Sequence, residues 1–184
     1  MKRVLIVHGF QGRPDTGWKL WIKDKLEEKG FEVFAPRMPD PDYPKAEDWV
    51  SCLSAIVGKP DSDTYFIGHS LGCLAILRYL DALKKGQHIG GAVLVAAPAD
   101  NRGYKYIENF FKKPLDWERV KAVCANFVVI HSEDDKIVPI DHAFTYQKNL
   151  GAEAVIVNGM GHFSSDEGIT EAPVILDALL GMVR

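Results

Sequence analysis

The sequence predicts an α/β fold in which a doubly wound, mostly parallel sheet of six strands lies between two layers of helices. Short apolar runs alternate with longer segments of helical periodicity along the 184-residue chain, and βαβ units produce this alternation. The apolar runs contain few polar residues, as expected of strands that are buried on both faces of a parallel sheet. Short right-handed connections then favour the strand order 2-1-3-4-5-6.

The first half of the chain contains three predicted strands, each followed by a predicted helix. The run RVLIVH (3–8) is compact and β-branched and indicates a buried first strand. Apolar residues at helical spacing then indicate a helix that ends at Gly30; they are Trp18, Trp21, Ile22 and Leu26. The remaining elements follow in the order strand 31–36, proline-rich loop 37–46, helix at about 47–57, strand 64–68 and helix 71–85.

The second half contains three more apolar runs, which are predicted strands at 91–97, 126–131 and 153–158. Helices are predicted after the last two of them, at about 141–149 and 171–182. Residues 99–123 break the alternation, because they separate strands four and five by more residues than a crossover needs. This segment is rich in aromatic residues and lysines. It is interpreted as a small cap insertion, with a longer helix as the alternative.

Composition and charge exclude several classes of protein. The chain is 47% hydrophobic and 26% charged and has a formal net charge of −3, with its basic residues spread along the sequence. This pattern argues against a nucleic-acid surface or a basic membrane patch. No apolar stretch approaches the ~20 residues of a membrane span. The basic and then apolar start, MKRVLIVHGF, is interpreted as the first strand and not as a signal peptide.

The cysteines favour a reduced, cytoplasmic protein. Cys52, Cys73 and Cys124 are odd in number, widely spaced and without a CxxC pattern, so neither a disulfide framework nor a structural zinc site is expected. Residues 1–184 are predicted to form a single domain.

A candidate nucleophile lies between the third strand and the helix that follows it. The stretch Gly68-His69-Ser70-Leu71-Gly72 matches the G-x-S-x-G nucleophile elbow. In such an elbow a tight turn presents the serine, and the flanking glycines avoid collisions that a Cβ would cause. The unpaired N–H groups of the following helix point to the place where negative charge develops. Ser70 is therefore predicted to be the nucleophile.

The general base is predicted from chain order, which in this class runs serine, acid, histidine. The six histidines are His8, His69, His88, His131, His142 and His162. His162 stands in the glycine-rich loop VNGMGHFSS after the last strand. A loop in this place can reach over the carboxyl edge of the sheet to Ser70, so His162 is predicted to be the base.

The acid is predicted in the loop after the fifth strand, where Glu133, Asp134 and Asp135 are adjacent. The apolar residues that follow fix the far side of this loop. Asp135 is the preferred candidate, and Asp134 is the alternative. The acid would hold the tautomer of the imidazole and stabilise the imidazolium.

The oxyanion hole is predicted where the sheet reverses its strand order, between strands one and three. Gly9 lets the backbone approach the elbow, and the N–H groups of Phe10 and Leu71 are the expected donors. The N–H of Gln11 is the alternative donor, and Gln11 is also expected to contact substrate.

A substrate pocket is expected to include the consecutive aromatics Phe110 and Phe111, because both cannot face one core. Trp18 and Trp21 fit a helix core better than a pocket. The expected substrate is a small molecule, an acyl or aryl ester, and no metal or organic cofactor is implied.

The motifs HGF, GHSLG, SEDDKIVP and GHF, in this order, resemble the α/β-hydrolase superfamily in a short version. The stretches HGFQGRPDTGWKLWIKDKL and APRMPDPDYPKAEDWVSCL resemble more narrowly the YdeN-like serine hydrolases, a family that includes the retinoblastoma-binding protein hydrolase of animals. The resemblance implies a Ser–His–Asp hydrolase on Ser70, His162 and Asp135, the second of the adjacent aspartates being the family's acid. Amide or thioester hydrolysis on the same triad, and a binding protein with a vestigial triad, are the alternatives.

Overall fold

The computed structural model describes residues 1–101 and 103–183. Arg102, which falls within the predicted cap, and Arg184 lie outside the described residues. The strands are β1 (Arg3–Val7), β2 (Glu32–Phe34), β3 (Thr64–His69), β4 (Gly91–Val95), β5 (Phe127–Ser132) and β6 (Glu153–Val157). They form one parallel sheet in the order β2-β1-β3-β4-β5-β6, which confirms the predicted topology.

The helices connect these strands and cover both faces of the sheet. They are α1 (Trp18–Glu28), α2 (Ala46–Val57), α3 (Leu71–Asp81), α4 (Trp117–Val123), α5 (Asp141–Leu150) and α6 (Pro173–Met182). The apolar residues of α1 and α6 pack on one face of the sheet, and those of α2, α3, α4 and α5 pack on the other. Among the described residues, no helix combines the length and the apolar character that a membrane crossing requires.

Alternation along the central strands explains why both faces are covered. Leu5 and Val7 of β1 contribute to one hydrophobic cluster, whereas Val4 and Ile6 contribute to the other. All four side chains are fully buried. Since burying one large aliphatic side chain contributes about 1.5–3 kcal/mol, both layers stabilise the same strand.

The predicted element boundaries differ from the observed ones mainly at the ends. Helix α3 ends at Asp81 rather than at residue 85, because the chain turns where the side-chain oxygen of Gln87 accepts a hydrogen bond from the N–H of Lys84. Gly86 adopts a φ of 85° in this turn. Helix α6 begins at Pro173 rather than at residue 171, since proline suits the first helical position.

The segment 99–123 divides into two parts. A 3₁₀ helix, Lys105–Phe110, follows the loop after β4, and α4 follows that. Helix α4 packs against α3 and α5, so the second half of the segment belongs to the helical layer on that face of the sheet. The first half is tied to the proline-rich loop by Asn109, whose side chain accepts from the N–H of Ala46 (2.7 Å) and donates to the carbonyl of Pro44 (2.8 Å). It forms a small cap beside the carboxyl edge of the sheet.

Candidate active site

Ser70 occupies a strained position between β3 and α3. Its φ of 50° and ψ of −119° form a backbone conformation that side-chain-bearing residues rarely adopt and that costs about 1–3 kcal/mol. The N–H of Ser70 donates to the carbonyl of Val95 on the neighbouring strand (2.8 Å). This bond fixes the elbow to the sheet.

Both glycines of the elbow are required by contact with backbone. A Cβ on Gly72 would lie 2.2 Å from the carbonyl oxygen of Val7, and one on Gly68 would lie 2.9 Å from the Cα and N atoms of Cys73. Real Cβ atoms do not approach backbone so closely. Close packing of α3 on β1 and β3 therefore explains the two glycines on either side of one serine.

His162 and Asp135 are joined by a buried hydrogen bond. The Nδ1 atom of His162 lies 2.9 Å from Oδ2 of Asp135, and the Asp135 side chain has no exposed surface. Its other oxygen accepts from the N–H groups of Ile137 (2.8 Å) and Val138 (2.9 Å). Since an ionised carboxylate only accepts, the proton lies on Nδ1 and Nε2 stays free to accept. His162 lines the same cavity as Ser70.

Asp134, the alternative acid, has a different set of partners. Its Oδ1 atom accepts from the N–H groups of Gly159 (3.0 Å) and Gly161 (3.2 Å), which belong to the histidine loop, and from the hydroxyl of Ser132. The hydrogen bond from Ser132 lowers the pKa of this carboxyl, with backbone bonds adding to it. Asp134 thus joins the loop after β5, which carries Asp135 (the acid loop), to the loop after β6, which carries His162 (the histidine loop). Of the two aspartates, Asp135 is the one that contacts the imidazole.

Three side chains that the sequence analysis did not identify as site residues fix the histidine loop. His69 Nε2 lies 2.8 Å from the carbonyl oxygen of His162, and Trp18 donates its indole N–H to the carbonyl of Phe163 (2.9 Å). Glu167 accepts from the N–H of His162 (2.9 Å). Glu167 also completes a capping box with Ser164, a pattern that the sequence S-x-x-E could have revealed.

The loop after β1 lies against the nucleophile. A Cβ on Gly9 would lie 3.1 Å from the Cβ of Ser70, which is tighter than most real Cβ contacts, so glycine favours this close approach. The N–H of Gln11 donates to the carbonyl of Pro41 (2.9 Å), which removes it as an oxyanion donor. Among the residues that the structure describes, no hydrogen bond uses the N–H of Phe10 or of Leu71.

His8 fixes the peptide that carries the Phe10 N–H. Its Nε2 accepts from the N–H of Met38 (2.9 Å), so Nδ1 carries the proton and donates to the carbonyl of Gly9 (2.8 Å). The N–H of Gly12 donates to the same carbonyl (3.0 Å). The C=O and N–H of one trans peptide point in opposite directions. Holding the Gly9 carbonyl therefore aims the Phe10 N–H the other way.

Burial keeps the other histidines near the site neutral. Desolvation lowers the pKa of His8, lowers that of His69 well below its ordinary range, and lowers that of His131 to about 4. For His69 the charge of His162 acts in the same direction as desolvation. All three imidazoles are therefore neutral at physiological pH, and His8 and His69 act as structural donors or acceptors.

A cavity of about 570 Å³ opens over Ser70 and His162. Its apolar wall comes mainly from the loop after β4, the cap and the acid loop and contains Pro98, Tyr104, Tyr106, Ile107, Ile137 and Val138. The ring of Tyr106 stacks on that of Phe10 with centroids 5.8 Å apart. Gln11 lines the cavity, and its side chain donates to Asp42 (3.1 Å).

The expectation for Phe110 and Phe111 is wrong for this cavity. Phe110 is fully buried and packs edge-on against Trp49, with ring centroids 5.7 Å apart. Phe111 packs half-buried on the same hydrophobic cluster. Phe110 ends the 3₁₀ helix and Phe111 directly follows it, and both side chains pack on the same core. Trp18 is also a core residue, as its helical spacing indicated.

Comparisons with known proteins match almost the whole chain. The family model described as serine hydrolase matches residues 4–180. The chain is 33% identical over 179 residues to the putative hydrolase YdeN of Bacillus subtilis, covering 97% of this chain and 94% of that protein. It is 29% identical over 154 residues to the serine hydrolase RBBP9 of Rattus norvegicus, covering 82% and 80%. The crystal structure of the B. subtilis ydeN product superposes with a TM-score of 0.94 at 32% identity, covering 99% and 98%.

Proposed function

Because the chain belongs to the serine hydrolase family, we propose that Ser70, His162 and Asp135 are the catalytic triad of a carboxylesterase. The observation that carries this proposal is the 2.9 Å contact between His162 and buried Asp135 beside the cavity that Ser70 lines. The match over residues 4–180 also supports treating the chain as one α/β-hydrolase domain.

The proposed reaction passes through an acyl-enzyme. Ser70 Oγ attacks the ester carbonyl while Nε2 of His162 accepts the hydroxyl proton, and Asp135 stays ionised and stabilises the imidazolium. His162 then donates that proton to the leaving alkoxide or phenoxide as the C–O bond breaks. Water attacks the acyl-enzyme with His162 again acting as base, and the carboxylic acid leaves as Ser70 regains its proton.

The N–H groups of Phe10 and Leu71 are the proposed oxyanion donors. Both are unused by hydrogen bonds among the described residues. One lies on the loop that touches Ser70, and the other begins the helix that follows it. Donors that are held in place before the reaction stabilise the developing charge without reorganisation.

Substrate size is proposed from the cavity. A volume of about 570 Å³ accommodates a small acyl or aryl ester, since ligand pockets span roughly 300–1,000 Å³. The stacked rings of Phe10 and Tyr106 offer an apolar wall next to the proposed oxyanion hole.

Hydrolysis of p-nitrophenyl acetate by purified protein and by Ser70→Ala tests the proposal. We expect the variant to keep its fold and to lose activity by about 10⁴-fold or more. Ser54→Ala, a change of an exposed serine on α2, is the matched control and should retain full activity. Equal rates for Ser70→Ala and the wild type would refute the assignment. Parallel assays with aminoacyl p-nitroanilides compare amide with ester hydrolysis.

A further inference from the structure

The cavity contains a buried cation that the proposed reaction does not use. Lys19, the second residue of α1, is only 4% exposed, and it lines the cavity together with Ser70 and His162. Lysine is among the residues least often fully buried, and a buried one is normally paired.

Lys19 has no anionic partner within residues 1–101 and 103–183. No hydrogen bond or ion pair to its ammonium occurs there, and Nζ lies over the ring of Trp18, 5.4 Å from its centroid. The charge of Asp15 reaches Lys19 but only partly offsets the effect of burial. Asp15 is paired with Arg13 at 3.2 Å, and both of those side chains are more than half exposed.

The immediate surroundings of Lys19 favour an anion next to its ammonium. The carboxylates of Asp100 and Asp166 also line the cavity, but neither is among the charges that act on Lys19. Helix α1 has no side-chain cap and no acidic residue in its first turn, so its partial positive end is uncompensated by side chains. Gly17 brings the histidine loop close to this end, since a Cβ on it would lie 3.4 Å from the Cβ of Ser165. Ser165 lines the cavity and carries a hydroxyl group that can donate a hydrogen bond. Thr16 also lines the cavity, but its hydroxyl donates to the carbonyl of Arg13 (3.3 Å).

We propose that Lys19 binds a carboxylate of the substrate, so that the preferred esters carry a carboxylate away from the scissile bond. This inference rests on the proposed function, because it names a substrate class for the same site. A single ammonium with one neutral hydroxyl nearby, that of Ser165, matches one negative charge. A phosphate dianion would require a second free cation, and Arg13 is already paired with Asp15.

Two pairs of esters test the proposal, because the carboxylate can lie on either side of the scissile bond. The first pair is 4-nitrophenyl hexanoate and the mono-4-nitrophenyl ester of adipic acid, and the second is phenyl acetate and 3-acetoxybenzoate. We expect the wild type to prefer the anionic ester in at least one pair, and Lys19→Met to lower kcat/KM for that ester by about 10- to 100-fold. The neutral ester of the same pair should change little. Lys23→Met, on the same helix and paired with Glu27, is the matched control and should leave both rates unchanged.

Preference for the neutral ester in both pairs, or an equal loss on the two members of each pair in Lys19→Met, would overturn the proposal. A binding measurement separates it from the esterase assignment. Calorimetric titration of adipate and of 3-hydroxybenzoate into Ser70→Ala and Ser70→Ala/Lys19→Met should show affinity weakened about tenfold or more by the second change for at least one of them. If Ser70 proves unreactive while this difference persists, the esterase assignment fails and the carboxylate site stands. If Ser70 reacts but the affinity for neither carboxylate depends on Lys19, the proposed carboxylate site is refuted and the esterase assignment stands.

Discussion

The imidazole of His162 and the carboxylate of Asp135 meet at 2.9 Å although the residues are 27 positions apart on different loops. The loops follow β5 and β6, which are adjacent in the sheet. Asp134 fastens one loop to the other through the N–H groups of Gly159 and Gly161. The two loops that carry the contact are therefore held to each other independently of the contact itself.

Asp135→Asn should abolish most activity while the protein stays folded. The amide can donate to Nδ1, which then favours the proton on Nε2, where it blocks general-base catalysis. We expect kcat to fall by about 10⁴-fold. Asp134→Asn removes a charge but leaves an acceptor oxygen, so it should lower kcat by less than about tenfold. Steady-state kinetics on p-nitrophenyl acetate measures both, and a larger effect for Asp134 would exchange their roles.

His8→Phe should lower kcat with little change in KM. The substitution removes the donor that holds the Gly9 carbonyl and so frees the peptide that aims the Phe10 N–H. Loss of an oxyanion donor lowers kcat by about 10²–10³-fold, and partial misorientation should lie at or below that range. The N–H of Met38 loses its acceptor, which costs about 1–3 kcal/mol of stability. Unchanged kcat alongside reduced stability in urea would make His8 a purely structural residue.

Gly72→Ala should destabilise the protein severely. The added methyl group would lie 2.2 Å from the carbonyl oxygen of Val7 and 2.7 Å from that of His8. Because these are backbone atoms and not the end of a flexible side chain, we expect a loss of about 3 kcal/mol or more. Gly181→Ala in α6 is the control. Nothing lies within 4 Å of its added Cβ, and alanine has the higher helix propensity, which predicts a gain of up to about 1 kcal/mol. Thermal unfolding of the two variants checks this ordering.

Lys19→Met should stabilise the protein, with a pH dependence of known sign. Burial lowers the pKa of Lys19 from 10.5 to about 8. Below pH 8 Lys19 is charged in both the folded and the unfolded states, so the folded state bears the full free-energy cost of burying a charged ammonium. Between pH 8 and 10.5 the folded state releases its proton first, and the cost fades. We expect a gain of about 2–3 kcal/mol at pH 7, which vanishes by about pH 10.5. Urea unfolding against pH measures it, and a destabilised variant at pH 7 would contradict a buried, unpaired ammonium.

The sequence pattern predicts the sheet order and the positions of Ser70 and His162, because short-range chemistry determines them. The two glycines around one serine, and the glycine-rich loop after the last strand, can be recognised in the sequence alone. The placement of Phe110 could not be read in this way, since it depends on where a 3₁₀ helix ends and which layer lies beneath it.

The contacts that hold the histidine loop in place could not be predicted from the sequence pattern either. His69 and Trp18 hold backbone carbonyls of residues far away in the chain, and no spacing rule reports such pairs. Lys19 offers a weak signal, since it stands next to Trp18 and three residues before Ile22 on the apolar side of α1. A charged residue at such a position is a reason to ask what it faces.

Mapping of covalent labelling by a fluorophosphonate tests the central claim most directly. We predict that the folded wild-type protein is modified on Ser70, as identified by peptide mass spectrometry, with loss of esterase activity in proportion to labelling. Ser70→Ala should take up no label, and Asp135→Asn should take it up far more slowly. An active protein in which the label lies on another residue, or in which Ser70 is unmodified while activity disappears, would contradict the proposed triad.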